Sequence, residues 1–222
     1  MDNSRHYSYY HKVLYLCLFS AAIGYVEAMV VVYLRALYYP GGFTFPLKLI
    51  PENMILLEMI REASTIVILF SISALSARRF WERFGYFLIY FGLWDIFYYI
   101  WLKAAINWPS SLFEWDILFL IPLPWIGPVI APVLIALLMV IIGISLTHVF
   151  HQGREFKPVA VTWLLAVAAT LILLFSFMKD LDAGLRQTLP EPYSYWMLIT
   201  GLILYIAAYV LSYRKIKQPS NQ

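Results

Sequence analysis

Of the chain's 222 residues, 62% are hydrophobic, 18% aromatic and only 13% charged, which excludes an ordinary soluble domain. The formal charge of +3 comes from scattered residues with no basic tract, which sets nucleic acid aside as a partner. The single cysteine, Cys17, lies inside the first apolar run; it rules out an intrachain disulfide and reads as a small packing residue.

Apolar residues fall in runs of about 20, the length that crosses roughly 30 Å of hydrocarbon. They predict an all-α, polytopic membrane protein with six transmembrane helices over 13–34, 54–77, 84–106, 127–149, 159–178 and 195–213. Residues 1–12 are read as a polar cytoplasmic segment, 13–213 as one transmembrane domain, and 214–222 as a basic cytoplasmic tail without fixed structure. The first run is too long for a signal-peptide core and reads as a retained anchor.

With the N-terminus inside, Arg5, Lys12, Arg78, Arg79, Arg83, Arg154, Lys157, Arg214, Lys215 and Lys217 fall on the cytoplasmic side. Arg35, Lys48, Lys103, Lys179 and Arg186 fall on the other. This bias predicts both termini in the cytoplasm. The expected location is the plasma (inner) membrane.

Span 1 carries Ser20, Gly24 and Ala28 at intervals of four, a seam that lets another helix approach closely. Glu27 lies beside that seam and is expected to point toward a neighbouring helix. The outer loop that follows, with Pro40-Gly41-Gly42, has turn chemistry and aromatics suited to the headgroup region. Pro51 and Glu52 then open span 2.

Span 2 concentrates the polar residues. At about 100° per residue, Glu58, Arg61, Glu62, Thr65, Ser73 and Ser76 share roughly a third of the helix circumference, and the rest is apolar. Such a stripe must face protein or a water-filled cavity. In span 3, Asp95 lies near the middle of an apolar run, with Tyr98 and Tyr99 one turn on. Lys103 reads as snorkelling to the outer headgroups.

The segment from Trp108 to Pro128 is too short and too rich in proline to span. Pro122, Pro124 and Pro128 break it, and Trp108, Trp115 and Trp125 suit the interface. An interfacial or re-entrant segment before the fourth helix is expected, covered by protein or lining a cavity. Spans 5 and 6 carry packing seams, Thr162-Ala166-Ala169-Thr170-Ser176 and Gly201-Tyr205-Ala208-Ser212.

Since span 1 runs outward, span 2 inward and span 3 outward, Glu27, Glu58, Arg61, Glu62 and Asp95 all fall in the middle to outer half of the bilayer. Each would cost about 2.5–3.5 kcal/mol if unpaired at the centre. Arg61 can offset one carboxylate, and Arg35 or Lys103 a second. An acidic excess remains for protons, a cation or a cationic ligand to balance. The candidate binding residues are therefore Glu27, Glu58, Arg61, Glu62, Asp95, Tyr98 and Tyr99.

The leading expectation is a pocket for protons, a cation or a small cationic or amphipathic solute, serving transport or sensing. A membrane-embedded enzyme acting on a lipid or isoprenoid by carboxylate acid–base or metal chemistry is the first alternative. An accessory subunit is the second. No cofactor is expected, although a hard cation such as Mg, Ca or Mn suits an all-oxygen site. His148 and His151, at the far end of span 4, are read as interfacial. No hydrolase or metalloprotease motif is present.

Overall fold

The computed structural model of the chain describes residues 3–48, 50–181 and 188–216. Arg186, Lys217 and the end of the tail, all part of the charge and order expectations above, lie outside the described residues. Six long helices dominate the described part: α1 (Asn3–Tyr38), α2 (Glu52–Ser76), α3 (Phe80–Ile106), α4 (Ile130–His151), α5 (Ala160–Met178) and α6 (Tyr195–Tyr213). Five of them, α1 over residues 11–38 together with α3 to α6, are long and apolar enough to cross a membrane. The chain is a multi-pass membrane protein. α2 is as long but carries Glu52, Glu58, Arg61 and Glu62 in its first half.

α1 begins at Asn3, so the polar stretch expected as a separate segment continues the first helix. Once a helix is nucleated, each added residue gains a hydrogen bond, and nothing in residues 3–12 stops it. Leu14, Leu18 and Leu37 on α1, Val67, Phe70 and Leu75 on α2, and Leu164, Leu171 and Phe175 on α5 are exposed. Hydrocarbon is the solvent that suits such a surface.

α3 is the central rod, packed on α1 along one side and on α4 along another. The contact with α1 runs through the predicted small-residue seam: Ser20 and Ala28 are fully buried. A β-carbon at Gly24 would sit 3.0 Å from the Phe97 β-carbon and 3.1 Å from the Trp94 carbonyl oxygen. Trp101 fastens the pair by donating its indole N–H to the Ala21 carbonyl at 2.9 Å. The contact with α4 is tighter. A β-carbon at Gly92 would lie 2.5 Å from the Ala136 carbonyl oxygen, so only glycine lets these backbones meet.

α5 and α6 form a second unit, joined by Thr162–Ser212 and Thr170–Tyr205 hydroxyl pairs, each at 2.6 Å. The Tyr209 hydroxyl ties α6 to α4 by donating to Ser145 at 2.7 Å. α1 and α2, by contrast, each pack on α3 but not closely on one another. Polar side chains bridge the space between them.

The Trp/Pro-rich stretch is more regular than its sequence suggests. β1 (Trp115–Phe119) and β2 (Trp125–Pro128) form an antiparallel hairpin, with Asp116 opposite Gly127, Ile117 opposite Ile126 and an irregularity before Phe119. Pro122 and Pro124 sit in the connection and Pro128 at a strand end, where a missing N–H costs the ladder little. Pairing lets apolar, non-helical backbone satisfy its own hydrogen bonds. The Trp125 ring stacks on Phe177 of α5 with centroids 5.9 Å apart, which fixes the hairpin against the second unit.

Candidate functional site

A cavity of about 310 Å³ lies between the C-terminal half of α1, the N-terminal half of α2, α3, the loop after α1 and the hairpin. All seven residues singled out from the sequence line it: Glu27, Glu58, Arg61, Glu62, Asp95, Tyr98 and Tyr99. The local reason is helical phase. The polar stripe of α2 turns toward α1 and α3, and its lower part continues as Ser73, buried, and Ser76, whose hydroxyl lies 3.2 Å from that of Tyr90.

Arg61 is the hub between α1 and α2. Its guanidinium pairs with Glu27, and its Nε donates to Glu58 Oε2 at 2.9 Å. Glu27, only 5% exposed, also accepts the Thr65 hydroxyl proton. Thus one cation serves two carboxylates, and the pairings bridge the space that the backbones leave open. Glu62 turns elsewhere: its Oε2 accepts the Leu120 backbone N–H at 2.8 Å, which anchors the hairpin to α2.

Two further residues complete the polar lining. Arg35, near the end of α1, donates from Nη2 to Asp116 Oδ1 at 3.0 Å, and the Tyr99 hydroxyl donates to Asp116 Oδ2 at 3.3 Å. The Arg35 guanidinium lies 3.7 Å from the Trp108 ring centroid and 4.3 Å from that of Phe43. Burial lifts the Asp116 carboxyl from 3.8 to about 6, with the Arg35 charge opposing the rise. Lys103, the other cation considered as a carboxylate partner, donates to the carbonyls of Pro109 (3.0 Å) and Asn107 (3.4 Å) and so closes the end of α3.

Asp116 and Arg35 were not among the seven. The signal for Arg35 was its position at the outer end of span 1 with acids in excess nearby. For Asp116 it was a charged residue alternating between Trp115 and Ile117, the pattern of a strand whose faces differ.

Among the described residues, three residues that line this cavity each hold a buried side-chain atom with no hydrogen-bond partner: Asp95 Oδ2, Arg35 Nη1 and Trp94 Nε1. Asp95 as a residue is half-buried, while its Oδ2 is buried. Five carboxylates face two guanidiniums here. Lys48 adds a cation only at the exposed rim, 5.4 Å from the Tyr39 ring.

Among the described residues, no three histidine, cysteine, aspartate or glutamate side chains converge as ligands for a metal ion. Arg61 occupies both Glu27 and Glu58. His148 and His151, with ring centroids 6.4 Å apart, lie at the C-terminal end of α4 and do not border the cavity. No protein-family model, curated protein or solved structure matches the chain, so the geometry carries the functional argument.

Proposed function

We propose that this chain binds an amphipathic cation in the acid-rich cavity and acts as a membrane transporter or sensor for it. In this reading α2 is the sixth span. Its charged stripe of Glu58, Arg61 and Glu62 is turned inward, so lipid meets a mainly apolar remainder. Both termini are cytoplasmic, the membrane is the plasma (inner) membrane, and the cavity opens in the outer half of the bilayer beneath an interfacial hairpin.

The observation that carries the reading is Asp95. Its carboxylate borders a cavity, and its buried oxygen meets no donor in the described chain. A carboxylate left so in a bilayer costs about 2.5–3.5 kcal/mol, and a bound ammonium would recover much of that. The walls nearby include Val31, Leu34, Ile55, Phe119 and Leu120. They favour an apolar body behind the cationic head.

Binding of dodecylammonium to the purified full chain in a non-ionic detergent tests this, followed by tryptophan fluorescence, since Trp94 borders the cavity. A hydrogen bond to a charged group contributes about 1.5–3 kcal/mol. Asp95→Asn should therefore weaken binding by at least tenfold while the protein stays folded. Unchanged affinity in that variant would remove the reading.

A further inference from the structure

The three unsatisfied atoms of the cavity are not alike. Asp95 Oδ2 lacks a donor, whereas Arg35 Nη1 and Trp94 Nε1 lack acceptors. A simple cation answers only the first. Arg35 is 8% exposed, and its hydrogen bond to Asp116 uses the other nitrogen, Nη2. Stacking on Trp108 and Phe43 occupies the faces of its guanidinium, not the N–H edge. That edge is preorganised for an oxyanion.

From these three atoms we infer that the ligand is a zwitterionic amphipath, with an ammonium held at Asp95, a phosphate or carboxylate held at Arg35, and a hydrocarbon chain passing out between α1 and α2. This rests on the cation-binding reading above and adds the anion and the chain to it. One headgroup would have to meet both Asp95 and Arg35, which line the same cavity. Gly24 of α1 abuts Trp94 and Tyr98, so Arg35, eleven residues on, has its backbone about 16 Å further along the helix. Its side chain meets Asp116, and Asp116 and Asp95 line the same cavity. Trp94, next to Asp95 in the chain, offers its indole N–H to a hydroxyl or ester oxygen of the same ligand.

The chain has an exit because α1 and α2 do not pack closely. Above the Arg61 bridge the cavity lining includes the apolar Val31 and Leu34 of α1 and Ile55 of α2. Leu37 on α1 and Leu56 on α2 are exposed. A hydrocarbon tail leaving there would remain in lipid.

Four probes titrated into the full chain in detergent test the inference: dodecyl-phosphoethanolamine, dodecylammonium, dodecyl phosphate and O-phosphoethanolamine. The first should bind at least tenfold more tightly than each of the others. Arg35→Lys keeps a cation beside Asp116 but loses the planar edge. It should weaken dodecyl-phosphoethanolamine about tenfold and leave dodecylammonium unchanged, a selectivity that mere unfolding would not give.

Dodecylammonium binding as tightly as the zwitterion, with Arg35→Lys affecting neither, would overturn the inference and leave the cation reading standing. O-phosphoethanolamine binding as well as its dodecyl form would also overturn it, pointing to a water-soluble zwitterion. Binding of none of the four would overturn both readings.

Discussion

Arg35→Met tests the electrostatics of the site most sharply, because it removes the guanidinium beside Asp116 while keeping an apolar stem against Phe43 and Trp108. Asp116 is 2% exposed and would retain only the Tyr99 hydroxyl and the Ile117 N–H, the latter at 3.0 Å. In the native chain burial raises this carboxyl from 3.8 to about 6. The folded state thus holds the proton more tightly than the unfolded chain does. Stability from this group is complete below pH ~4 and is lost as pH rises through 6. The rise from 3.8 to about 6 corresponds to roughly 3 kcal/mol, all of it gone by neutrality. Without Arg35 the carboxyl titrates higher still, so the loss continues above pH 6 at about 1.4 kcal/mol per unit. The deficit of Arg35→Met relative to the native chain should therefore widen by ~1 kcal/mol between pH 6 and 7. For a chain of this size that is about 2–4 °C in Tm. Thermal melting in detergent from pH 4.5 to 8, followed by intrinsic fluorescence, measures it, and Asp116→Asn should lose this pH dependence altogether. Parallel native and Arg35→Met curves across that range would refute the reasoning.

Glu62→Gln keeps a carbonyl oxygen for the Leu120 N–H and should melt near the native temperature, whereas Glu62→Ala should cost about 1–3 kcal/mol by leaving that donor unpaired; equal melting of the two would show that the hairpin tether contributes nothing. Gly92→Ala should destabilise more than Gly24→Ala in the same assay. Its β-carbon meets the Ala136 backbone oxygen at 2.5 Å, while the one at Gly24 meets its nearest neighbours at 3.0 Å and beyond. Trp125→Ala removes a half-buried ring stacked on Phe177 and should cost less than the roughly 3–5 kcal/mol of a fully buried tryptophan, read as a fall in Tm with loss of protease resistance in the hairpin. For the proposed orientation, a membrane-impermeant maleimide applied to intact cells should label Ser110→Cys and spare Gly153→Cys, both built on Cys17→Ser; the reverse pattern would invert the topology.

The helices were legible because hydrocarbon leaves the backbone few choices. Runs of about 20 apolar residues locate α3 to α6 to within a few residues, and the spacing of Ser20, Gly24 and Ala28 anticipates the face of α1 that meets α3. The start of α1 was not legible. Composition marks where a chain enters lipid, but a helix continues into water until something stops it. The hairpin escaped for a different reason. Its apolar residues and prolines read as irregular backbone, and strand pairing depends on a partner about ten residues away, on Phe177 of α5 and on Tyr193 just before α6.

The charges of the cavity divide along the same line. Glu58, Arg61, Glu62 and Thr65 share one helix, so their common face follows from the 3.6-residue period alone, and Glu27 and Asp95 follow from having no other tolerable direction in a bilayer. Asp116 sits in a connection, where a charged residue ordinarily needs no explanation, and only the fold reveals that the strand turns it inward onto Arg35. That placement changes the electrostatic problem. Sequence-level reasoning counts acids against Arg61 and one of Arg35 or Lys103, and finds an excess for protons, a cation or a cationic ligand to balance. With Arg35 present but half-used, the cavity instead lacks an acceptor at one end and a donor at the other, and a single positive charge leaves one of those needs unmet.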